Sequence, residues 1–186
     1  MNKEQLYSML DCVDHSRKKR AEMAVLVSNS PKLVEPLLKI AFDVDDPISS
    51  KACWVLEFTA KNNLPYIFPN LTSFTLRLGT LHLDSSVRPM AKICEFLIKA
   101  YFQKKGYHLQ MVLTDEHLEL ITTACFDWLI GDFKVASKAY SMTSLLLLGR
   151  KFDWIHPELK IILEQNYSTG SPAYKARARM TLEKLN

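Results

Sequence analysis

Apolar residues along this chain recur at helical spacing. Leu6 to Val13, Leu33 to Phe42, Leu64 to Leu81, His117 to Leu129 and Trp154 to Leu163 each carry apolar positions three and four residues apart, as a helix with one buried face requires. A second apolar segment follows each of them, opened by a small polar residue. Asp14 precedes Ala21, Asp45 precedes Ala52, Asp84 precedes Ala91, Asp132 precedes Ala139 and Ser171 precedes Ala178, always by seven residues. An Asp or Ser ahead of an amphipathic run predicts an N-cap, because its side-chain oxygen accepts from the unpartnered N–H groups of the first turn. The repeated interval predicts five units of two helices, first and second, with a small residue where another helix crosses closely. Proline agrees with these starts: Ser30-Pro31, Asp46-Pro47, Asn63-Leu64-Pro65 and Ser171-Pro172 place it in a first helical turn. In the second unit this moves the expected cap from Asp45 to Asp46.

Two segments test the all-helical reading. "SFTLRLGTLHL", residues 73–83, alternates like a half-buried strand, yet Leu71, Phe74, Leu78 and Leu81 also follow helical spacing where the repeat requires a first helix. Helix is the expectation. "QKKGYHLQMVLTD", residues 103–115, reads as an extended connection between the third and fourth units, with the loop around Gly106 the candidate mobile segment.

Asp84, Val87, Arg88 and Ala91 resemble the second-helix pattern of HEAT repeats, and Asp132, Val135, Lys138 and Ala139, or Ile48, Lys51 and Ala52, are more worn copies. The resemblance covers nearly the whole chain. It implies an all-α, right-handed superhelix of about five helix pairs, with second helices on the concave side and aspartate and basic side chains linking neighbouring repeats. Ser171 in place of Asp in unit five, and Arg17 at a usually apolar position in unit one, suit terminal caps. More narrowly, "KACWVLEF", "SVRPMAKICE" and "KAYSMTSLLLLGRKFDWIHPEL" look similar to a small bacterial family whose members are sometimes labelled adenylosuccinate lyase. True lyases carry a loop of the type SSxMPxKxNP. "SSVRPMAK" echoes it in a different order and without the Asn-Pro end, so the label is not supported by the motif.

Composition sets the class: 186 residues, 48% of them hydrophobic and 24% charged, with five glycines, describe one globular domain over residues 1–186 rather than a disordered chain. "MNKEQLYSML" lacks a basic stretch followed by an apolar one, and the longest aliphatic run, Leu145 to Leu148, is too short to span a bilayer. A cytoplasmic protein without a membrane partner is expected. Cys12, Cys53, Cys94 and Cys125 are far apart in sequence and read as reduced, buried thiols without a zinc half-site. The histidines are scattered, and no HExxH, GxSxG or glycine-rich phosphate loop occurs. "TDEHLEL" gathers Asp115, Glu116, His117 and Glu119, and reads as a helix start capped by Thr114. No catalytic set, metal, cofactor or small-molecule substrate is predicted.

Charge changes the picture most. The second helices carry Arg17 to Arg20, then Lys51, Arg88, Lys92, Lys134, Lys138, Lys175, Arg177 and Arg179, with few acids among them. If those helices line a concave side, some of Lys51, Arg88, Lys92, Lys134, Lys138, Lys175 and Arg177 form a positive track able to attract phosphate or an acidic protein or peptide segment. The competing expectation is a ladder pairing Lys51, Arg88, Lys138 and Arg177 with aspartates of adjacent units. Lys92 lies outside the repeated basic position and separates the two. DNA glycosylases built from HEAT-like repeats hold alkylated purines against concave aromatic and acidic side chains. Here Trp54 falls at a core position, and Trp128 and Trp154 fall on first helices. With aromatics expected away from the basic face, base stacking lacks a platform. The sequence therefore predicts a non-enzymatic binding scaffold, with nucleic-acid binding or a glycosylase as the alternative.

Overall fold

The structure, a computed structural model, describes residues 3–103 and 107–185, so the Gly106 loop lies outside the described residues. Among these residues the regular elements are all helical: α1 (Lys3–Asp11), α2 (Arg17–Ser28), α3 (Val34–Ala41), α4 (Ser49–Asn62), α5 (Leu71–Leu76), α6 (Asp84–Tyr101), α7 (Tyr107–Val112), α8 (Asp115–Ile130), α9 (Val135–Leu148), α10 (Ile155–Gln165) and α11 (Pro172–Leu185). The connection expected to be extended contains α7, whose Leu109 is buried, as is Leu113 just after it. Two anchoring leucines four residues apart fold that segment onto the core instead of leaving it open.

The second helices pack consecutively, α2 on α4, α4 on α6, α6 on α9 and α9 on α11. First helices back them: α3 lies on α4, α8 on α9, and α10 on both α9 and α11. Helix α6 is the centre of the row, with Val87, Met90, Ala91, Ile93, Cys94 and Leu97 fully buried. Each large apolar side chain taken from water in this way contributes about 1.5–3 kcal/mol.

The "SFTLRLGTLHL" segment contains no strand, but the first helix of its unit is broken. Pro65 and Pro69 remove backbone donors, and Leu64–Asn70 forms 3-10 turns before α5, with another at Leu78–Thr80. Leu71, Phe74, Leu78 and Leu81 are nevertheless buried, as their spacing predicts.

Of the repeated alanines, Ala52, Ala91 and Ala178 are completely buried, whereas Ala21 and Ala139 are half-buried. Ala24 takes the buried position in α2, and Ser137, Ser141 and Ser144 make a small-residue stripe in α9. The polar residues ahead of them also divide. Ser171 caps α11 as expected, its Oγ accepting from the Tyr174 N–H at 3.3 Å. Asp14 and Asp46 instead close turns before their helices, accepting from Ser16 N–H at 2.8 Å and Ile48 N–H at 2.7 Å, and Ser16 is the cap of α2. Asp84 is the first residue of α6, and its carboxylate accepts from the backbone N–H of Lys134 at 2.8 Å, tying the start of α6 to the start of α9.

Candidate functional site

Pro89 sits inside α6 and has no N–H to give the carbonyl of Ser85, four residues earlier. The indole N–H of Trp54, from α4, donates to that carbonyl at 2.7 Å. Trp54 is thus not a core residue but a half-buried strut between two second helices. Its ring carries the Arg20 guanidinium, 4.7 Å from the ring centroid, and Arg20 also donates through Nη2 to the carbonyl of His15. Burial first, and the nearby Arg88 charge second, push the Arg20 guanidinium below its ordinary pKa.

Beside this strut opens a groove of about 520 Å³ lined by Arg17 and Arg20 of α2, Glu57, Phe58 and Lys61 of α4, Arg88, Lys92 and Phe96 of α6, and Tyr140 of α9. Five cations face one carboxylate. Glu57 is held by Arg88 through paired bonds, Nη1 to Oε1 at 3.2 Å and Nη2 to Oε2 at 2.7 Å. Lys92 and Tyr140 also line an adjoining cavity of about 610 Å³ with Glu95, Lys99, Ala173 and Arg177, so these two side chains stand between the two spaces. Glu95 is 2% exposed and accepts from Lys92 at 2.5 Å and Lys99 at 2.6 Å. Burial works to raise its pKa, but the two lysines prevail and hold it below the ordinary glutamate value. The ammonium of Lys92 lies 5.0 Å from the Phe96 ring centroid and 4.3 Å from that of Tyr140.

Of the seven basic residues selected from sequence, Arg88 lines the groove, Arg177 the adjoining cavity, and Lys92 both. Lys51 instead joins the end of α1, donating to the Asp11 carbonyl at 2.6 Å and carboxylate at 3.0 Å. Lys138 lines a separate cavity of about 220 Å³ with Phe133, Asn166 and Tyr174. Lys134 is exposed and Lys175 half-buried, and neither lines the groove. Arg177 reaches back to the Thr143 hydroxyl of α9. A ladder thus exists, but its partners are Asp11, Glu57 and Thr143 rather than a repeated aspartate. Lys92 is not outside it in the useful sense, because it is bound to buried Glu95.

Sequence reasoning missed Lys61, Lys99, Glu57 and Glu95 as groove residues, and noted Arg17 and Arg20 without selecting them. Helical period would have found them: 57 and 61 share a face of α4, as do 88, 92, 95 and 99 on α6 and 17 and 20 on α2. The expected separation of aromatic from basic groups does not hold either, since Phe58, Phe96 and Tyr140 share the groove with the cations. Trp128 is buried, and Trp154 is 55% exposed and stacked on Phe126 at 5.6 Å.

The remaining chemistry is structural. Thr114 caps α8, its Oγ accepting from the His117 N–H at 3.4 Å while His117 Nδ1 accepts from the Thr114 N–H at 3.2 Å. Nδ1 acting as acceptor leaves the proton on Nε2, which donates to the Thr72 hydroxyl at 3.0 Å. Burial pushes the Cys53 and Cys125 thiols up to about 12, and raises Cys94 as well. Cys12, expected to be buried, is exposed. Among the described residues no group of three or more His, Cys, Asp or Glu side chains could hold a metal ion, and no helix is long and apolar enough to cross a membrane. No family model, no curated protein and no solved structure matches this chain.

Proposed function

We propose that this chain is a non-enzymatic binding module, a right-handed stack of five HEAT-like helix pairs whose second helices present a basic groove to an acidic segment of a partner protein. The observation that carries the reading is the imbalance in the groove, five cations around one carboxylate that is already engaged by Arg88. Such a surface attracts anions and steers them in from solution. The HEAT-like reading draws support from the consecutive packing of α2, α4, α6, α9 and α11, and from side chains that reach back one unit, Lys51 to Asp11 and Arg88 to Glu57. The test is a fluorescence-polarisation titration with a labelled glutamate-rich peptide at low salt, where exposed charges are least screened. Arg17→Glu with Lys61→Glu should weaken binding at least about tenfold. Lys39→Glu, on α3 and paired with Glu35, should leave it unchanged. Equal binding by all three proteins overturns the reading.

A second reading has its own observation. Phe58, Phe96 and Tyr140 stand among the cations, the combination that lets single-stranded nucleic acid stack its bases while its phosphates are neutralised. A labelled single-stranded oligonucleotide that binds more tightly than the peptide, with log affinity falling steeply against log salt, selects this reading.

A further inference from the structure

We infer that the α2–α4 end of the groove, formed by Arg17, Arg20 and Lys61, is a docking site for a phosphorylated side chain of a partner protein. The inference rests on the binding-module reading above and names the group that anchors the partner.

The groove holds more positive charge than its carboxylates neutralise. Among the groove cations, Arg88 is committed to Glu57 and Lys92 to Glu95. Arg17, Arg20 and Lys61 have no carboxylate partner among the described residues, although all three line the same space of about 520 Å³. Arg20 is the most constrained of them. Its guanidinium is fixed between the Trp54 ring and the His15 carbonyl, and its Nε is buried without an acceptor among the described residues. Guanidinium donors held in a fixed orientation suit a bound oxyanion. The fold thus holds one arginine rigidly, with a second one turn away and a lysine opposite.

The chemistry favours a dianion over a carboxylate. A carboxylate brings one charge, and Glu57 shows that in this groove a single arginine fork satisfies it. A phosphomonoester brings about 1.5–2 negative charges and three strong acceptor oxygens in one compact group, enough to engage Arg17, Arg20 and Lys61 together. The arrangement also favours a single phosphate over a nucleic-acid strand. A strand repeats its charge along its length and calls for free cations spread along the groove. Here Arg88, Lys92 and Lys99 already hold Glu57 and Glu95, Arg177 beyond them is bonded to the Thr143 hydroxyl, and Arg17, Arg20 and Lys61 line one space together at the other end.

The test uses the full chain and two fluorescent peptide pools with randomised, acid-rich flanks, one with a central phosphoserine and the other with serine. The phosphorylated pool should bind at least about tenfold more tightly in fluorescence polarisation. Arg17→Ala and Lys61→Ala, both at exposed positions, should each remove most of that advantage, weakening the phosphorylated pool several-fold more than the acid-rich serine pool. Circular dichroism melts of each variant should match the wild type. If the serine pool binds and phosphorylation adds nothing, the inference is overturned while the binding-module reading stands. If neither pool binds, both fall. Inorganic phosphate or a mononucleotide competing at the phosphopeptide's own affinity would overturn the assignment to a protein partner, as would a single-stranded oligonucleotide that outcompetes the peptide.

Discussion

Trp54 donates its indole N–H to the carbonyl that Pro89 leaves without its helical donor. A proline inside a helix normally costs about 3 kcal/mol, in part for the lost bond and in part for its clash with the preceding turn. Here a neighbouring helix replaces the bond, which makes the proline an inter-helix fastening. Trp54→Phe should cost about 1–3 kcal/mol in urea denaturation, from the lost bond and the unsatisfied carbonyl. In a Pro89→Ala background, where the backbone regains an N–H for Ser85, the same substitution should cost clearly less. Equal costs in the two backgrounds would show that the two residues are not coupled.

Ala91 is fully buried on α6, and Ala139 is only half-buried on α9. Replacing Ala91 with Leu should overpack the seam and lower stability by about 1–3 kcal/mol. Ala139→Leu should cost less, because part of the added side chain can reach solvent. The denaturation midpoints of the two variants measure the difference directly.

Glu95 ties stability to pH. Its pKa lies below the ordinary glutamate value in the folded chain, so its contribution is fully present above that ordinary value and is lost as pH falls through the lowered one. Glu95→Gln should cost about 2 kcal/mol at neutral pH, since two charge-assisted bonds are replaced by weaker ones. The gap between wild type and variant should narrow as the solution is acidified through the carboxylate range. Urea denaturation at a series of pH values reads it, and a constant gap would refute the assignment.

A Cβ at Gly149 would fall 1.9 Å from the His156 ring, whose Nε2 bonds the Leu146 carbonyl at 2.9 Å. Gly149→Ala should therefore displace the ring and cost about 1–3 kcal/mol. His156→Ala removes the obstacle along with the bond. The double variant should be more stable than the sum of the single losses implies, as a thermal-denaturation cycle would show.

Several features were determined by local sequence alone. The helical class follows from apolar residues at intervals of three and four, a property of each segment by itself; that period also identified Leu71, Phe74, Leu78 and Leu81 as buried. Thr114 and Ser171 were legible as caps because a cap bonds within three residues of its own position. What the tertiary structure decided is where side chains go when a distant backbone competes for them. Asp84 occupies the expected place at a helix start, yet its carboxylate serves Lys134 on another helix. Local sequence places Trp54 at a core position, because nothing local reveals that Pro89 leaves a carbonyl open across the helix interface. The same holds for charge. Sequence shows that the second helices are basic, but only packing decides that Lys92 is spent on Glu95, that Arg88 is spent on Glu57, and that Arg17, Arg20 and Lys61 meet in one groove with charge to spare. Pairing depends on distance between helices, and a one-dimensional pattern carries no distance beyond a few turns.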